Sequence, residues 1–164
     1  MPSIKALRLL RESDYSAVRD VYADSVHSLA VDLYNKEQID AWSSIASLPG
    51  VLDKTLTQGK GWLSFEKKEL AAFAVRYPIN RMALLYCRGR FSRRGHATVL
   101  VRRLEIDAQK DGCDQLITEA SLLSYRFLLN LGWTVIRPEK IAIAGVLFDR
   151  FIMQKILIDK LEEY

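Results

Sequence analysis

The segment Cys87-Arg88-Gly89-Arg90-Phe91-Ser92-Arg93-Arg94-Gly95-His96-Ala97-Thr98 holds the residue types that bind anions. It follows an apolar run of strand character, Met82 to Cys87, and opens a stretch with helix periodicity. The reading is strand, glycine-bearing loop, helix N-terminus. The first turn of a helix leaves backbone N–H groups unpaired and carries partial positive charge, and Gly95 and Ala97 put no large side chain over them. A pyrophosphate fits such a turn. Glycine-bearing turns also occur without ligands, so the surroundings matter. Between Leu70 and Leu104 there is no acidic residue, whereas Arg76, Arg81, Arg88, Arg90, Arg93, Arg94, Arg102 and Arg103 all fall there. That is either a solvated basic face or a polyanion site, for nucleotide phosphates or for nucleic acid. The place at a helix N-terminus favours a small phosphate ligand.

Other chemistry is sparse. Cys87 and Cys113 have neither metal-ligand spacing nor the count of a disulfide framework, so both are expected reduced. His27 and His96 belong to no HxxE or HxxxH pattern, and no metal is expected. His27, Asp32, Tyr34, Glu37 and Trp42 put polar and aromatic groups into a pair of early helices, where they are candidates for the roof of a cleft.

The elements that must position these groups follow from periodicity. Ile4 to Leu10 reads as a strand, and Ser13 or Asp14 caps a helix whose stripe is Tyr15, Val18, Tyr22, Val26 and Leu29. Asn35 with Gln38 forms a capping box for a second helix bearing Ile39, Trp42 and Ile45. Trp62 to Phe65 and Leu70 to Tyr77 read as a hairpin around Glu66-Lys67-Lys68-Glu69, and Met82 to Cys87 as the next strand. After the loop, Ala97, Leu100, Val101, Leu104 and Ala108 line a helix that stops near Gly112. Asp114 to Thr118 is strand-like, and Ser121 caps a helix that runs to Gly132. Trp133 to Arg137 and Val146 to Ile158 are the last strands, joined across Pro138-Glu139-Lys140 and Gly145. The expected fold is α+β: a mixed, mostly antiparallel sheet of about six to seven strands, with one βαβ unit and helices on both faces. Consecutive strands without intervening helices disfavour a doubly wound nucleotide fold.

The 164 residues, 49% hydrophobic and 27% charged, suit one globular domain spanning 1–164. No apolar run reaches bilayer length and no signal-peptide h-region opens the chain, so a cytoplasmic protein with no membrane partner is expected. The basic stretch lacks interleaved aromatics and a recognisable reader fold, which disfavours nucleic acid.

Three segments together resemble the GNAT superfamily of acyl-CoA-dependent N-acetyltransferases, over nearly the full chain. Ser92-Arg93-Arg94-Gly95-His96-Ala97 looks like the family's Q/R-x-x-G-x-G/A signature. Thr118-Glu119-Ala120-Ser121 through Phe127-Leu128-Leu129-Asn130-Leu131-Gly132-Trp133 is similar to its second motif, and Gly145 to Lys155 to its final strand. Tyr34 to Trp42 is similar to a helix of one loosely annotated bacterial branch.

The resemblance implies acetyl-CoA as co-substrate and an amine, of a small molecule or a peptide, as acceptor. Pyrophosphate would lie on the backbone amides of Arg93, Arg94, Gly95, His96, Ala97 and Thr98, and pantetheine along Leu85, Tyr86 and Cys87. Ser121 or Ser124 would bond the pantetheine arm, Phe127 would pack near the thioester, and Arg88 and Arg90 are candidates for the remaining phosphate. His27, Tyr34 and Trp42 would shape the acceptor pocket. The sequence departs from the family at Ser92, where Gln or Arg is usual, and at Leu128, where many members place the tyrosine that protonates the leaving thiolate. Tyr125 is then the candidate acid and Glu119 the candidate base, with Glu119, His27 or Tyr34 acting through water as another route. A member that binds acyl-CoA as a sensor or interaction module without turnover is the alternative. An exposed final strand offers an edge for a homodimer.

Overall fold

A computed structural model describes residues 5–157. Strands β1 (Ala6–Leu9), β2 (Lys60–Glu66), β3 (Glu69–Arg76) and β4 (Met82–Cys87) form one antiparallel sheet in that order, and β5 (Gln115–Ser121), β6 (Thr134–Ile143) and β7 (Val146–Ile156) form a second, in the order β5-β7-β6. The expected single sheet is therefore split. Its parallel βαβ unit survives as one bridge, Arg81 to Ile117, supported by Ile117 N–H on Asn80 O at 2.9 Å and the Thr118 hydroxyl on Met82 O at 2.7 Å. Beyond that bridge β4 and β5 separate, and the space between them opens a cleft.

Side-chain alternation along β3 decides which helix covers which face. Phe73 and Val75 join Leu63 and Leu84 in a core with α1 (Tyr15–Leu29) and α2 (Lys36–Ser44). Ala72 and Ala74 face the other way, into a core with Leu100, Val101 and Leu104 of α4 (His96–Lys110). Their small size lets α4 lie close to the sheet. Two short helices complete the set: α3 (Asp53–Gln58), which carries no periodic stripe in the sequence, and α5 (Tyr125–Asn130).

Local signals read from the sequence hold at several ends. The Asn35 side chain accepts from Gln38 N–H at 2.8 Å and Gln38 Oε1 accepts from Asn35 N–H at 3.0 Å, closing the capping box. At α1, by contrast, Asp14 occupies the cap position without capping; its carboxylate takes Arg11 N–H at 2.8 Å and Arg8 at 2.8 and 2.9 Å. Ser121 does not start a helix but ends β5, because the strand pairs with β7 as far as Ser121–Arg150, and α5 begins four residues later.

The largest departure is the C-terminal hairpin. Pro138 to Lys140 does not break the strand: β6 runs through it, and Pro138 pairs with Phe151. Since β6 is an edge strand, the missing proline N–H removes no required ladder bond. The turn falls instead at Ala144 and Gly145, both with positive φ. β7, expected to expose an edge, is flanked by β5 on one side and β6 on the other from Arg150 to Gln154. The edges of that sheet are β6 and, beyond the bridge at Ile117, β5.

Candidate active site

The loop between β4 and α4 is shaped by glycine and by its arginines' partners. Gly95 sits at φ +92°, the left-handed region, immediately before the first helical residue. A Cβ there would meet nothing closer than Lys5 Cε at 3.8 Å, so the approach to the turn is open. The helical ladder begins with Val99 N–H on Gly95 O at 3.1 Å, leaving the amides of His96, Ala97 and Thr98 without helical acceptors. Arg93, at φ +60°, is exposed. The His96 side chain turns inward: it is 1% exposed, with Nδ1 at 2.7 Å from Ser64 Oγ and Nε2 at 3.4 Å from Glu66. Burial first, against the pull of Glu66, holds its pKa below the ordinary histidine value. Only its backbone N–H is presented to a ligand.

The arginine-rich stretch is not a free basic face. Arg76 pairs with Asp111, Arg81 with Glu119, Arg90 with Glu69, Arg94 with Glu66, Arg102 with Glu105 and Arg103 with Asp107. Arg88 donates to Leu70 O at 2.9 Å. The segment without acids in sequence is met in space by acids from β2, β3, α4 and its C-cap Asp111, and β5.

Backbone direction in β4 follows from one bond. Arg88 N–H donates to Ala71 O at 2.8 Å, so by antiparallel alternation Tyr86–Phe73 and Leu84–Val75 are the hydrogen-bonded pairs of the ladder. Leu85 and Cys87 turn their N–H and C=O groups away from β3. Among the described residues, no strand pairs that edge beyond the bridge at Arg81. The Cys87 thiol lies on the buried side, with burial pushing its pKa up to about 11.

A cavity of about 380 Å³ lies in the gap. Leu85, Tyr86, Arg81, Glu119, Ser121, Ser124 and Leu128 line it from the two sheets and α5. Tyr22, Val26, Tyr34 and Trp42 line it from the helical side, and Ile141, Ile143 and Phe148 from the hairpin. Tyr34 and Trp42 are buried there, ring centroids 5.3 Å apart, with Phe148 at 5.8 Å from Tyr34 and 6.2 Å from Trp42. Leu122 N–H donates to the Tyr34 hydroxyl at 2.8 Å, fixing the ring to the end of β5. Burial raises the pKa of this phenol, and of Tyr22 and Tyr86. Trp42 Nε1 donates to the Tyr86 hydroxyl at 3.3 Å. Ser121 and Ser124 stand with their hydroxyls 3.2 Å apart.

Glu119 is in the cavity wall and is anchored: Arg81 Nε donates to both its oxygens, at 2.9 and 3.1 Å. Each oxygen retains a lone pair. Three expected site residues lie elsewhere. His27 is exposed and absent from the cavity lining; five residues beyond Tyr22 it sits about 140° around the helix. Tyr125, as first residue of the shortened α5, packs on Phe151 at 4.6 Å between ring centroids, with Arg126 Nε on its hydroxyl at 3.1 Å. Phe127 packs against the core around α4 and β5 and does not line the cavity. The sequence reading missed Arg81 as the partner of Glu119, Tyr22 as lining, and the hairpin wall. Tyr22 was legible as core from its spacing; the hairpin was hidden by Pro138.

Among the described residues no cluster of metal-ligating side chains occurs and no helix is long and apolar enough to cross a membrane.

The sequence matches no family model and no curated protein. The structure matches solved ones closely. The GCN5-related N-acetyltransferase (aminotransferase, class II) of Rhodopseudomonas palustris aligns with a TM-score of 0.91 at 24% identity, covering 96% of this chain and 98% of that one. The PaiA N-acetyltransferase of Thermoplasma acidophilum, in complex with coenzyme A, aligns at 0.73 and 16% identity, covering 94% and 99%. YncA of Salmonella typhimurium, with acetyl-CoA, aligns at 0.65 and 18% identity, covering 96% of each. The chain has the GNAT fold.

Proposed function

We propose that the protein is an acetyl-CoA-dependent N-acetyltransferase acting on a primary amine. The observation that carries this reading is the junction of two features in one place. The open turn at Gly95, with its unpaired amides, lies at one end of β4, and the unpaired outer edge of the same strand, at Leu85 and Cys87, leads into the cavity. A diphosphate on the turn and an extended amide-bearing arm along the strand suit that geometry. Two of the solved structures of this fold hold coenzyme A or acetyl-CoA.

In this reading the amides of Arg93 to Thr98 hold the pyrophosphate, with Arg93 the arginine of the loop left over for phosphate. Leu85 offers its carbonyl and N–H to the pantetheine arm, and its N–H is placed to stabilise the oxyanion; Tyr86 spends its backbone groups on β3. Ser121 and Ser124 bond the arm near the thioester. The neutral amine attacks the thioester carbonyl, the C–N bond forms, the C–S bond breaks, and coenzyme A leaves as thiolate while the amine's surplus proton passes to Glu119, directly or through water. Positioning supplies much of the acceleration. Tyr125, turned onto Phe151, supplies no proton; a thiol pKa of about 8.5 lets the thiolate leave near neutral pH.

Titrating coenzyme A into the protein by calorimetry tests the reading. Wild type is expected to bind, and Gly95→Val to lose binding, because a β-branched residue at φ +92° forces the turn to change. Absence of heat with the wild type would overturn it. The anchoring of Glu119 by Arg81 favours a second reading, an acyl-CoA sensor without turnover. That protein would bind coenzyme A yet leave acetyl-CoA unconsumed with every amine of a broad panel.

A further inference from the structure

The walls of the cavity say more about the acceptor than its existence does. Its helical and hairpin side is aromatic and aliphatic: Tyr34, Trp42 and Phe148 form a three-ring cluster, backed by Ile141, Ile143 and Val26. The charged groups in the wall are largely spent on each other. Arg81 holds Glu119, and Arg150 Nε holds Glu139 at 2.6 Å. Asp149 is the remaining carboxylate; it is exposed, lines the cavity, and lies close enough to the Tyr34 phenol to help burial raise its pKa.

A polycation gains affinity from several uncompensated carboxylates, and an acceptor with its own carboxylate gains from an uncompensated cation. Among the described residues the cavity wall presents one such carboxylate, Asp149, short of the several a polycation needs, and no such cation. Its volume, about 380 Å³, is near the lower end for small-molecule pockets, and its lining is of the apolar kind that reads shape.

We propose that the acceptor is a small primary monoamine with an apolar, aromatic body, the ring seated among Tyr34, Trp42 and Phe148 and the nitrogen directed to Glu119. This rests on the acetyltransferase reading for the reaction, and on the cavity alone for binding.

The test uses the intact protein and two readouts. In the first, 2-phenylethylamine, ethylamine and spermidine are compared at saturating acetyl-CoA. The expected kcat/KM for 2-phenylethylamine exceeds that for each of the others by at least about 100-fold, since a single methylene in an apolar pocket is worth about 10- to 200-fold. Phe148→Leu is expected to shrink that ratio about tenfold. In the second, 2-phenylethylamine is titrated against tryptophan emission. Trp42 is in the cavity, whereas Trp62 and Trp133 are not in its lining, so a saturable change is expected in wild type and lost in Trp42→Phe. Preference for spermidine overturns the proposal while leaving the acetyltransferase reading intact. Failure to bind coenzyme A sinks that reading, and the emission titration still decides the proposal: no saturable change overturns it.

Discussion

Glu119 and His96 are two ionisable side chains in unlike surroundings, one in the cavity wall and the other buried beneath the Gly95 turn. Glu119 sits in the wall with both oxygens on Arg81 Nε, and the proposed mechanism makes it the proton acceptor. Glu119→Gln is expected to lower kcat by about 10²–10⁴-fold; steady-state kinetics check this. A merely structural carboxylate would leave kcat unchanged and lower stability instead. From sequence His96 is expected to offer a ligand its backbone N–H; its ring, on the first residue of α4, is turned inward to Ser64. Its pKa is held below the ordinary value of 6.5 by burial, so the unfolded chain binds a proton that the folded one resists. The stability this contributes is complete above about pH 6.5 and is lost as pH falls below it. Thermal scans at pH 7.5 and 5 are expected to show a larger drop for wild type than for His96→Asn, both measured against their own value at pH 7.5. His27 and Tyr125 were unreadable for a related reason. Their contribution depends on which side of a helix faces the cleft, and for α5 on where the helix begins, which pairing of β5 with β7 decides.

At the scale of elements, the strand, loop and helix from Met82 to Lys110 were legible because each local preference agrees with the packing: a strand of apolar residues, a glycine at φ +92°, an amphipathic stripe. The same agreement made the α2 capping box readable. It fails at β6, where Pro138 argues locally for a break and the edge position tolerates it. It fails also at α3, a six-residue helix with a single buried side chain, Leu56. The hairpin that the sequence understated is expected to matter energetically. Phe148 is 5% exposed and touches Tyr34 and Trp42; Phe148→Ala is expected to cost about 3–5 kcal/mol, read by urea denaturation.

The whole molecule is two antiparallel sheets that touch at one bridge and diverge, with α4 packed on one face of the first and α1 and α2 on the other. The α+β class, the mostly antiparallel pairing and the helices flanking both faces were readable from the chain; the split was not, because nothing in a β-strand's own pattern says where its neighbour leaves it. The same holds for charge. A net +4 with arginines crowded between Arg76 and Arg103 reads as a basic surface until the acids that meet them are seen. A ligand spanning the Gly95 turn and the gap touches both sheets, so it should stabilise them together. Coenzyme A at about 100 times its Kd is expected to add about 2.7 kcal/mol, a rise in Tm of roughly 5–10 °C for a chain of this size, seen in one cooperative transition by scanning calorimetry.

β7 has one further property. Its early part, at Phe148, belongs to the core beneath the helical roof, and its later part, at Met153, belongs to the core beneath α4. During synthesis every other described wall leaves the ribosome first, so the aromatic chamber closes only when β7 arrives. A nascent chain stalled before Val146 would hold both cores open at once, and proteolytic nicking within Val146–Ile156 would release two hydrophobic interiors by a single cut.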